Sequence, residues 1–408
     1  MPTSLQDAHA AYAAIHDRSV ADAVRAAAAA VPAFASRLAD ADLSADDVRT
    51  VADLSSLPVL SKDDVLQLQQ ADPPWGGMLS ESADVVRVFQ SPGPLYEPQL
   101  AGDDYWRWGQ ALRSLGVGPQ DTVINGFGYH LSPAGAMMES GALAVGARVL
   151  PGGIGSQDLQ VQAIADLGVT AYLGLPSYLK ALIERFEAGG FEREEWRLRR
   201  AMVTAEPLPD SLRDLLTAWV PHVQMAYGTG ETGMLAHETT DGPVAGLALA
   251  DGVLVQVCDL DSGQPVDDAR EGQVVVTLLR PDYPLVRFGT GDLSGWMLGP
   301  DGSLRLRGVL GRSGAAVKVK GMFLHPRQVA AVMGAADGVA AYRFVIGRAE
   351  HVDSLRCEVV PAAGADTDAL VAEVRRRVLD GLRFRAEVVT VPEIADDSDI
   401  LVDTRDWS

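Results

Sequence analysis

The sequence predicts an α/β protein with a large N-terminal domain, built on parallel sheet plus a small β-barrel-like subdomain, and a small, mobile α+β C-terminal domain. From Thr122 to about residue 203, apolar runs typical of strands alternate with segments of helical periodicity. Between about Leu247 and Leu306 the strands become shorter and are separated by the turns DSG and PDYP. After Gly311 short strands surround one long amphipathic helix. We therefore place the large domain at residues 1–310 and the small domain at residues 311–408.

The N-terminal region is predicted to be helical. Its first forty residues are rich in alanine at helical spacing and are interrupted at Pro32, which predicts helices packed on the body of the protein. SLPVLSK, from Ser56 to Lys62, is an extended link. The run VVRVF then predicts a strand, and QSPGPLYEP follows it, from Gln90 to Pro98. Taken alone, this stretch is typical of a surface turn, because three of its residues are prolines without a backbone N–H.

Strands and helices alternate through the middle of the chain. The predicted strands are TVINGFGY, ARVLP, VTAYLGL and RRAMVTA, and the helices between them are PAGAMMESGALAVG, QDLQVQAIADLG and SYLKALIERFEAGG. This alternation predicts a mostly parallel sheet that is covered on both faces. Nearer the C-terminus, the runs AAYRFVIGR, LRCEVVP and AEVVTVPEI and the helix DTDALVAEVRRRVLDGL predict the small α+β domain.

The charge and composition exclude several classes of function. A formal net charge of −21 argues against nucleic acid or an anionic membrane as a partner, because both need clustered lysine and arginine. No apolar run approaches the length of a membrane span, and the N-terminus lacks the basic start and apolar core of a secretory signal, so we expect a cytoplasmic location. Cys258 and Cys357 lack metal-ligand spacing, so we expect buried thiols and neither a disulfide framework nor a zinc site.

Ligands of open α/β sheets collect beyond the carboxyl ends of the strands, so the loops there are the first candidates for a site. Four loops qualify: TAEPLP, and the glycine-containing loops AYGTGETG, FGTGDLSG and GRSGAAVKVKG. Each loop taken alone is more often a turn with an exposed acid than a site. Such acids can nonetheless accept ribose hydroxyls or hold Mg²⁺ against phosphates, and an adjacent aromatic ring can stack on a base.

The order and spacing of the four loops resemble the adenylate-forming superfamily of AMP-binding enzymes and acyl-CoA synthetases, and the chain most resembles its phenylacetate–CoA ligases. The resemblance covers nearly the whole chain: DVRTVADLSSLPVLSKDDV is similar to the N-terminal region of that family, and NGFGYHLSPAGAMMESGALAVGARVLPGG to its central block. It implies acid–thiol ligase chemistry. A carboxylate attacks the α-phosphate of ATP, pyrophosphate leaves, the small domain rotates, and a thiolate attacks the resulting acyl adenylate.

The resemblance also implies roles for individual residues. The residues that would bind the nucleotide are Ala205, Glu206, Pro207, Tyr227, Gly228, Thr229, Asp292 and Arg312. Among them, Tyr227 would stack on adenine and Asp292 would grip both ribose hydroxyls. Glu231 would be a catalytic glutamate associated with Mg²⁺. The loop that enters for the thiol step would contain Lys318, as a second catalytic residue, with Lys320 and Gly321. Without the resemblance, Glu206 and Tyr227 would be interpreted as an ordinary helix-start glutamate and a buried tyrosine.

The acyl pocket would lie beside the central block. The residues that would line it are Tyr129, His130, Leu131, Pro133 and Gly153. His130 is unusual there and could orient a carboxylate, although a histidine packed in a turn without a catalytic role fits the sequence equally well.

The chain departs from the family where phosphates would be held. QSPGPLYEP occupies the place of the phosphate loop SSGTTGKP. Ser91 and Gly93 match that loop, but the hydroxyl donors that follow are lost and Glu97 replaces its lysine. Gly230 replaces a serine or threonine, and no lysine follows Lys320, although the family has a catalytic GK lysine in its tail. A carboxylate in place of an ammonium group near a phosphate turns an attraction of about 1 to 4 kcal/mol into repulsion. We therefore expect weak or partial use of AMP and ATP and impaired adenylation.

The sequence thus predicts an acyl-activating protein that handles a small carboxylic acid as its adenylate or thioester, with CoA or a carrier-protein thiol as acceptor and Mg²⁺ as an optional cofactor. The alternative is a non-catalytic paralogue or accessory protein that binds AMP, an acyl group or a carrier-bound intermediate. The identity of the acid and the oligomeric state, for which a homodimer is one option, stay open.

Overall fold

The computed structural model describes residues 4–405 apart from 92–94, 313–316, 321, 325, 335, 350–351 and 395–398. The side chains of Arg312, Lys318, Met322, Phe323, Arg327, Ala331 and Ala349 also lie outside the described part. The chain divides into two compact units, Met1–Ser313 and Gly314–Ser408. None of the helices in the described part combines the length and apolar character that a membrane crossing needs.

The N-terminal region folds as helices, as predicted. The helices are α1 (Leu5–Ala30), α2 (Pro32–Asp40) and α3 (Lys62–Ala71). Ser4 caps α1 by accepting the Asp7 N–H at 3.1 Å, and Pro32 occupies the first turn of α2, where a missing N–H costs nothing. Ser61 and Asp64 form a capping box that starts α3 at Lys62.

A short hairpin follows, made of β1 (Val85–Gln90) and β2 (Tyr96–Leu100), and then the helix α4 (Trp108–Ser114). The predicted strand VVRVF is therefore confirmed. The surface turn predicted for QSPGPLYEP is wrong for its second half, because Tyr96, Glu97 and Pro98 lie in β2. Pro98 is tolerated since this sheet has only two strands.

The middle of the chain forms the predicted alternating α/β layer. Its elements are β3 (Thr122–Asn125), α5 (Ala134–Ala144), β4 (Arg148–Leu150), α6 (Gln157–Leu167), β5 (Ala171–Gly174), α7 (Pro176–Ala188), β6 (Arg200–Val203), α8 (Asp210–Thr217) and β7 (His222–Thr229). Strands β4, β3, β5, β6 and β7 pair in that order and are all parallel. Helices at two sides bury residues such as Ile164 and Met138 in two separate apolar cores.

The shorter strands continue the same sheet in antiparallel fashion. They are β8 (Gly233–His237), β9 (Leu247–Leu249), β10 (Val253–Cys258), β11 (Glu271–Leu278), β12 (Phe288–Leu298), β13 (Leu304–Leu306) and β14 (Gly311–Arg312). The sheet order runs β10-β11-β12-β13-β9-β8-β7, and β14 pairs with β12. The predicted antiparallel subdomain is thus joined to the parallel layer through the β7–β8 pair.

The second unit is the α+β module that the sequence predicts. Its elements are β15 (Val317–Val319), β16 (Met322–Leu324), α9 (Pro326–Gly334), β17 (Val339–Ala349), β18 (Val352–Pro361), α10 (Thr367–Leu382), β19 (Glu387–Thr390) and β20 (Leu401–Asp403). Strands β15 and β16 form a hairpin, and the larger sheet has the order β19-β18-β17-β20. Helix α10 buries Leu370, Val374 and Val378 against this unit's own core. Cys258 and Cys357 are buried free thiols, as expected.

Candidate functional site

The site is built at the carboxyl ends of parallel strands. TAEP follows β6, and YGTGET lies at the end of β7 and in the turn to β8. Because β6 and β7 are parallel neighbours, these two loops leave the same edge of the sheet. β12, which carries the TGD sequence, belongs to the antiparallel part of the sheet.

The tertiary structure brings Tyr227 and Asp292 into contact. The Tyr227 hydroxyl donates to Asp292 Oδ2 at 2.9 Å and lies 3.2 Å from Thr290 Oγ1. Thr290 also accepts the Asp292 N–H at 3.1 Å and donates to the Val274 carbonyl at 3.0 Å. Tyr227 and Asp292 are both buried, with 6% of their surface exposed. These contacts hold the Asp292 carboxylate in one orientation.

The backbone of Arg312 lies beside that of Asp292. Strand β14 pairs with β12 so that Arg312 is directly opposite Asp292. Its side chain is outside the described part of the structure, so its expected approach to a ribose stays a prediction. Gly228 and Thr229 end β7, where the Thr229 hydroxyl is 2.9 Å from that of Thr232.

The TAEP turn is strained and partly buried. Ala205 has a φ of +72°, a left-handed value that is costly for a residue with a Cβ atom. Glu206 is buried, and its Oε2 accepts the N–H of Ser177, in the first turn of α7, at 3.3 Å. Pro207 is exposed. The turn thus joins the ends of β6 and α7 at the edge where the site is expected.

Lys62 lies in the candidate site beside Glu231, and this position was not predicted from the sequence. Its Nζ lies 2.6 Å from Glu231 Oε1, and the two side chains are 23% and 8% exposed. Burial opposes the ionisation of Glu231, but the ammonium group of Lys62 holds the pKa of that carboxyl below its ordinary value. The link before Lys62 is fixed to β12, where the Gly289 N–H donates to the Leu60 carbonyl at 2.9 Å. One available signal was that lysine is nearly absent from the chain.

Glu97 is buried near the Lys62–Glu231 pair. Only 3% of its surface is exposed, and neither carboxyl oxygen has a hydrogen-bond partner among the described residues. Burial, reinforced by the negative charge of Glu231 and opposed by Lys62, raises the pKa of Glu97 to about 8. The carboxyl is therefore largely protonated at pH 7. The expectation that its charge repels phosphates is corrected on this point.

Helix α3 fixes the strand that carries Glu97. The Gln69 amide, on the buried face of α3, donates to the Tyr96 carbonyl and accepts the Tyr96 N–H, both at 2.8 Å. Since α3 also begins at Lys62, one helix places both the lysine and the strand with Glu97. Ser91, at the other side of the turn, donates its N–H to the Leu95 carbonyl at 2.9 Å. Gly93 lies outside the described residues.

Two departures from the family pattern are sterically linked. A Cβ atom added at Gly230 would lie 2.7 Å from Glu97 Oε2, closer than real contacts of this kind. A serine or threonine at position 230 would therefore collide with the buried Glu97 carboxyl. The glycine at 230 and the glutamate at 97 are compatible with each other.

The turn that carries Glu231 is held by Trp106 and Arg107, which the sequence analysis also missed. The Arg107 guanidinium donates to the carbonyls of Thr232 and Met234, the latter at 3.3 Å. The Met234 N–H donates to the Trp106 carbonyl at 2.9 Å. Nothing in the WRW sequence indicates this role, because it depends on a contact across 125 residues.

Two of the predicted acyl-pocket residues, Tyr129 and Gly153, contact Asn125 at the end of β3. The Asn125 amide donates to the Tyr129 hydroxyl at 2.6 Å and to the Gly135 carbonyl at 2.8 Å. Tyr129 is 39% exposed, and burial with a contact to Glu139 raises the pKa of its hydroxyl. The remaining predicted members, His130 and Leu131, are exposed, whereas Pro133 is buried before α5.

Gln160 fixes the backbone of the glycine-rich segment from Gly152 to Gly155. Its amide donates to the carbonyls of Gly152, Gly153 and Gly155 at 2.9, 3.2 and 2.8 Å. Its carbonyl oxygen accepts the hydroxyl of Tyr178, in the predicted PSY segment, at 3.0 Å. Asn125 and Gln160 were not predicted, because most of their partners are backbone carbonyls that no sequence spacing reveals.

The predicted thiol-loop residues belong to the second unit. Lys318 is on β15, with its side chain outside the described part, and Gly321 is also outside it. Lys320 is exposed and described. Within the described residues no group of three His, Cys, Asp or Glu side chains is arranged to hold a metal ion, so Mg²⁺ at Glu231 stays a prediction.

Comparison with known proteins supports one family. Residues 114–277 match the family model described as AMP-binding enzyme. The chain is 27% identical over 372 residues to phenylacetate-coenzyme A ligase of Escherichia coli K12, covering 87% of this chain and 83% of the relative. It is 28% identical to the ligase of the same name from Pseudomonas putida, over 73% and 70% of the two chains.

The fold is shared with a solved CoA ligase. A crystal structure of 2-hydroxyisobutyryl-CoA ligase in complex with 2-HIB-AMP and CoA matches with a TM-score of 0.88 and 22% identity, covering 97% of this chain and 91% of the other. The matched AMP-binding region and the curated relatives bear out the resemblance of the chain to phenylacetate–CoA ligases of the adenylate-forming superfamily, and the solved structure shows that the fold is shared.

Proposed function

We propose that the chain transfers the acyl group of a small carboxylic acid between AMP and a thiol, and that its ATP-dependent adenylation is impaired. The observation that carries this proposal is the contrast between the nucleoside side and the phosphate side of the candidate site. The Tyr227–Asp292 pair, suited to a nucleoside, is intact, while the neighbouring phosphate region contains the buried carboxyl of Glu97.

The nucleoside side fits an adenylate. A buried, pre-oriented carboxylate accepts two hydroxyl groups well, because charge-assisted hydrogen bonds each contribute about 1.5 to 3 kcal/mol. Asp292 is such a group, and Tyr227 fixes its orientation. AMP and acyl adenylates carry the required pair of ribose hydroxyls.

The phosphate side does not fit a triphosphate. The residues that the family would use as donors are replaced by prolines, leucine, tyrosine and Glu97. The charge of Lys62, which could otherwise face an anion, is paired with Glu231 at 2.6 Å. Loss of a pre-organised donor at a developing charge typically costs about 10²- to 10³-fold in rate. These features support impaired adenylation.

The transfer step needs only an adenylate and a thiol. The thiolate sulfur attacks the acyl carbonyl carbon, a C–S bond forms, the bond between that carbon and the phosphate oxygen breaks, and AMP leaves. The relatives are named as CoA ligases, so CoA is the first thiol to test, with a carrier-protein phosphopantetheine as the second. Lys318, Lys320 and Gly321 are proposed to serve this step on the strength of the family resemblance.

Two assays run in parallel test the proposal. A panel of preformed acyl adenylates is mixed with CoA, and thioester and AMP are measured. The same acids are tested with ATP and Mg²⁺ for exchange of labelled pyrophosphate. We expect thioester from at least one adenylate and little or no exchange. Robust exchange by the unmodified protein would show that its phosphate site works as in ordinary ligases.

A non-catalytic binding role is the second candidate, favoured by the absence of any lysine after Lys320. It predicts that AMP or an acyl adenylate raises the thermal midpoint, as any ligand of the native state does, without formation of thioester. Thioester formation with multiple turnovers excludes it.

A further inference from the structure

The end of the described chain reaches back to the β15–β16 hairpin through one buried carboxylate. Asp353, on β18, has a side chain that is only 4% exposed. Its Oδ2 accepts the backbone N–H of Lys320 at 3.1 Å and lies 3.0 Å from Arg405 Nη1. Its Oδ1 lies 3.5 Å from Arg348 Nη1. One carboxylate therefore connects the hairpin, β17 and the C-terminal segment.

Arg405 is itself held rigidly. Its guanidinium makes two parallel bonds to Asp403, at 2.8 and 2.6 Å, in addition to the bond to Asp353. Thr404 anchors the segment by donating both its N–H and its hydroxyl to the Ile346 carbonyl, each at 2.8 Å. Strand β20 runs parallel to β17 just before this point. A fork of this kind is specific to arginine, because lysine presents a single point charge.

The turn that begins at Lys320, to which Asp353 is bonded, has an unfavourable backbone conformation. Val319 pairs with Met322, so the hairpin connection begins at Lys320. Lys320 has a φ of +49°, a left-handed conformation that is unfavourable for a residue with a Cβ atom. The carboxylate that accepts its N–H favours this conformation over the alternatives.

We propose that Arg405 and Asp353 are positioning residues for the Lys320 turn, so that the C-terminal segment of this chain serves the thiol step. The proposal rests on the proposed function for its role in the reaction, because only the family resemblance assigns residues 318–321 to that step. In the family the tail supplies the adenylation lysine. Here the segment EIADDSDILVDTRDWS has none, and its Arg405 holds the thiol-step turn.

The test compares four variants of the full chain. Arg405→Ala and Asp353→Asn break the connection, and Arg405→Lys keeps the charge but not the fork. Arg343→Ala is the matched control, because Arg343 lies on β17 and pairs with Glu358 at 2.6 Å, away from the turn. Amide hydrogen exchange is followed in peptides that cover residues 317–324 and α10. Thioester formation from a preformed adenylate and CoA is measured as kcat and KM.

We expect Arg405→Ala and Asp353→Asn to speed exchange in 317–324 by at least tenfold and to lower kcat by about tenfold. Exchange in α10 and the KM for the adenylate should stay unchanged. Arg405→Lys should fall between these variants and the wild type, and Arg343→Ala should match the wild type. Wild-type exchange in 317–324 for Arg405→Ala overturns the proposal, as does an equal effect in the control.

If Arg405→Ala also speeds exchange in α10, the unit has loosened as a whole and Arg405→Lys decides. If Arg405→Lys lowers kcat and leaves exchange in α10 at the wild-type rate, the proposal is supported. If it leaves both kcat and exchange in α10 at their wild-type values, the proposal is overturned. Failure of the unsubstituted chain to form any thioester would refute the proposed function instead. The exchange data would still decide whether Arg405 holds the turn.

Discussion

The buried carboxyl of Glu97 predicts an unusual dependence of stability on pH. Glu97→Gln keeps the size of the side chain and removes its ionisation. In the folded protein the pKa of Glu97 is about 8, compared with an ordinary value of 4.5. Below pH 4.5 the carboxyl is protonated in the folded and the unfolded chain. Between pH 4.5 and 8 the unfolded chain releases this proton while the folded chain keeps it, so the free energy of unfolding falls as pH rises.

The size of the effect follows from the shift. At about 1.4 kcal/mol per pKa unit, the rise from 4.5 to about 8 sets an upper bound of roughly 5 kcal/mol on the stability lost above pH 8. Glutamine does not titrate, so the variant is spared this loss. We expect Glu97→Gln to gain at least about 2 kcal/mol relative to wild type between pH 5.5 and pH 9, on top of any constant offset from the amide.

Urea unfolding at half-unit steps from pH 5.5 to pH 9 measures this difference. Glu187→Gln, on the exposed face of α7, removes the same formal charge from the surface and controls for net charge. Parallel curves for wild type and Glu97→Gln would refute the reasoning, because they would mean that Glu97 titrates alike in the folded and unfolded chains.

The remaining predictions concern the same site and the domain boundary. Gly230→Ala should destabilise the protein by about 1 to 3 kcal/mol, because its Cβ meets Glu97 Oε2, and the cost should shrink in a Glu97→Ala background; additive effects in urea unfolding would contradict the contact. Asp292→Ala should weaken AMP binding by at least about 150-fold in calorimetry, since two charge-assisted bonds are lost, and Tyr227→Phe should weaken it less; unchanged affinity in both would remove the ribose assignment. Limited proteolysis should cut first near residue 311, and first cuts elsewhere would count against a boundary there.

The sequence by itself determined the classes and order of the elements. Periodicity is a local property, so the alternating strands and helices between Thr122 and Val203 could be assigned from it, as could the break between helices at Pro32. The order and spacing of the four loops were sufficient to indicate the family. The sequence also predicts that the family's phosphate loop and tail lysine are replaced in this chain, because these are differences in residue type.

Only the tertiary structure decided how those replacements are accommodated. Glu97, Lys62 and Gly230 are far apart in sequence, and nothing local shows that the carboxyl is buried beside a Lys62–Glu231 pair or that a side chain at position 230 would meet Glu97 Oε2. Burial changes the meaning of the residue: the same glutamate that would repel a phosphate at the surface becomes a largely neutral group when it is desolvated. The Tyr227–Asp292 contact likewise required the chain to bring two strands together, since residue spacing alone does not fix distance in space.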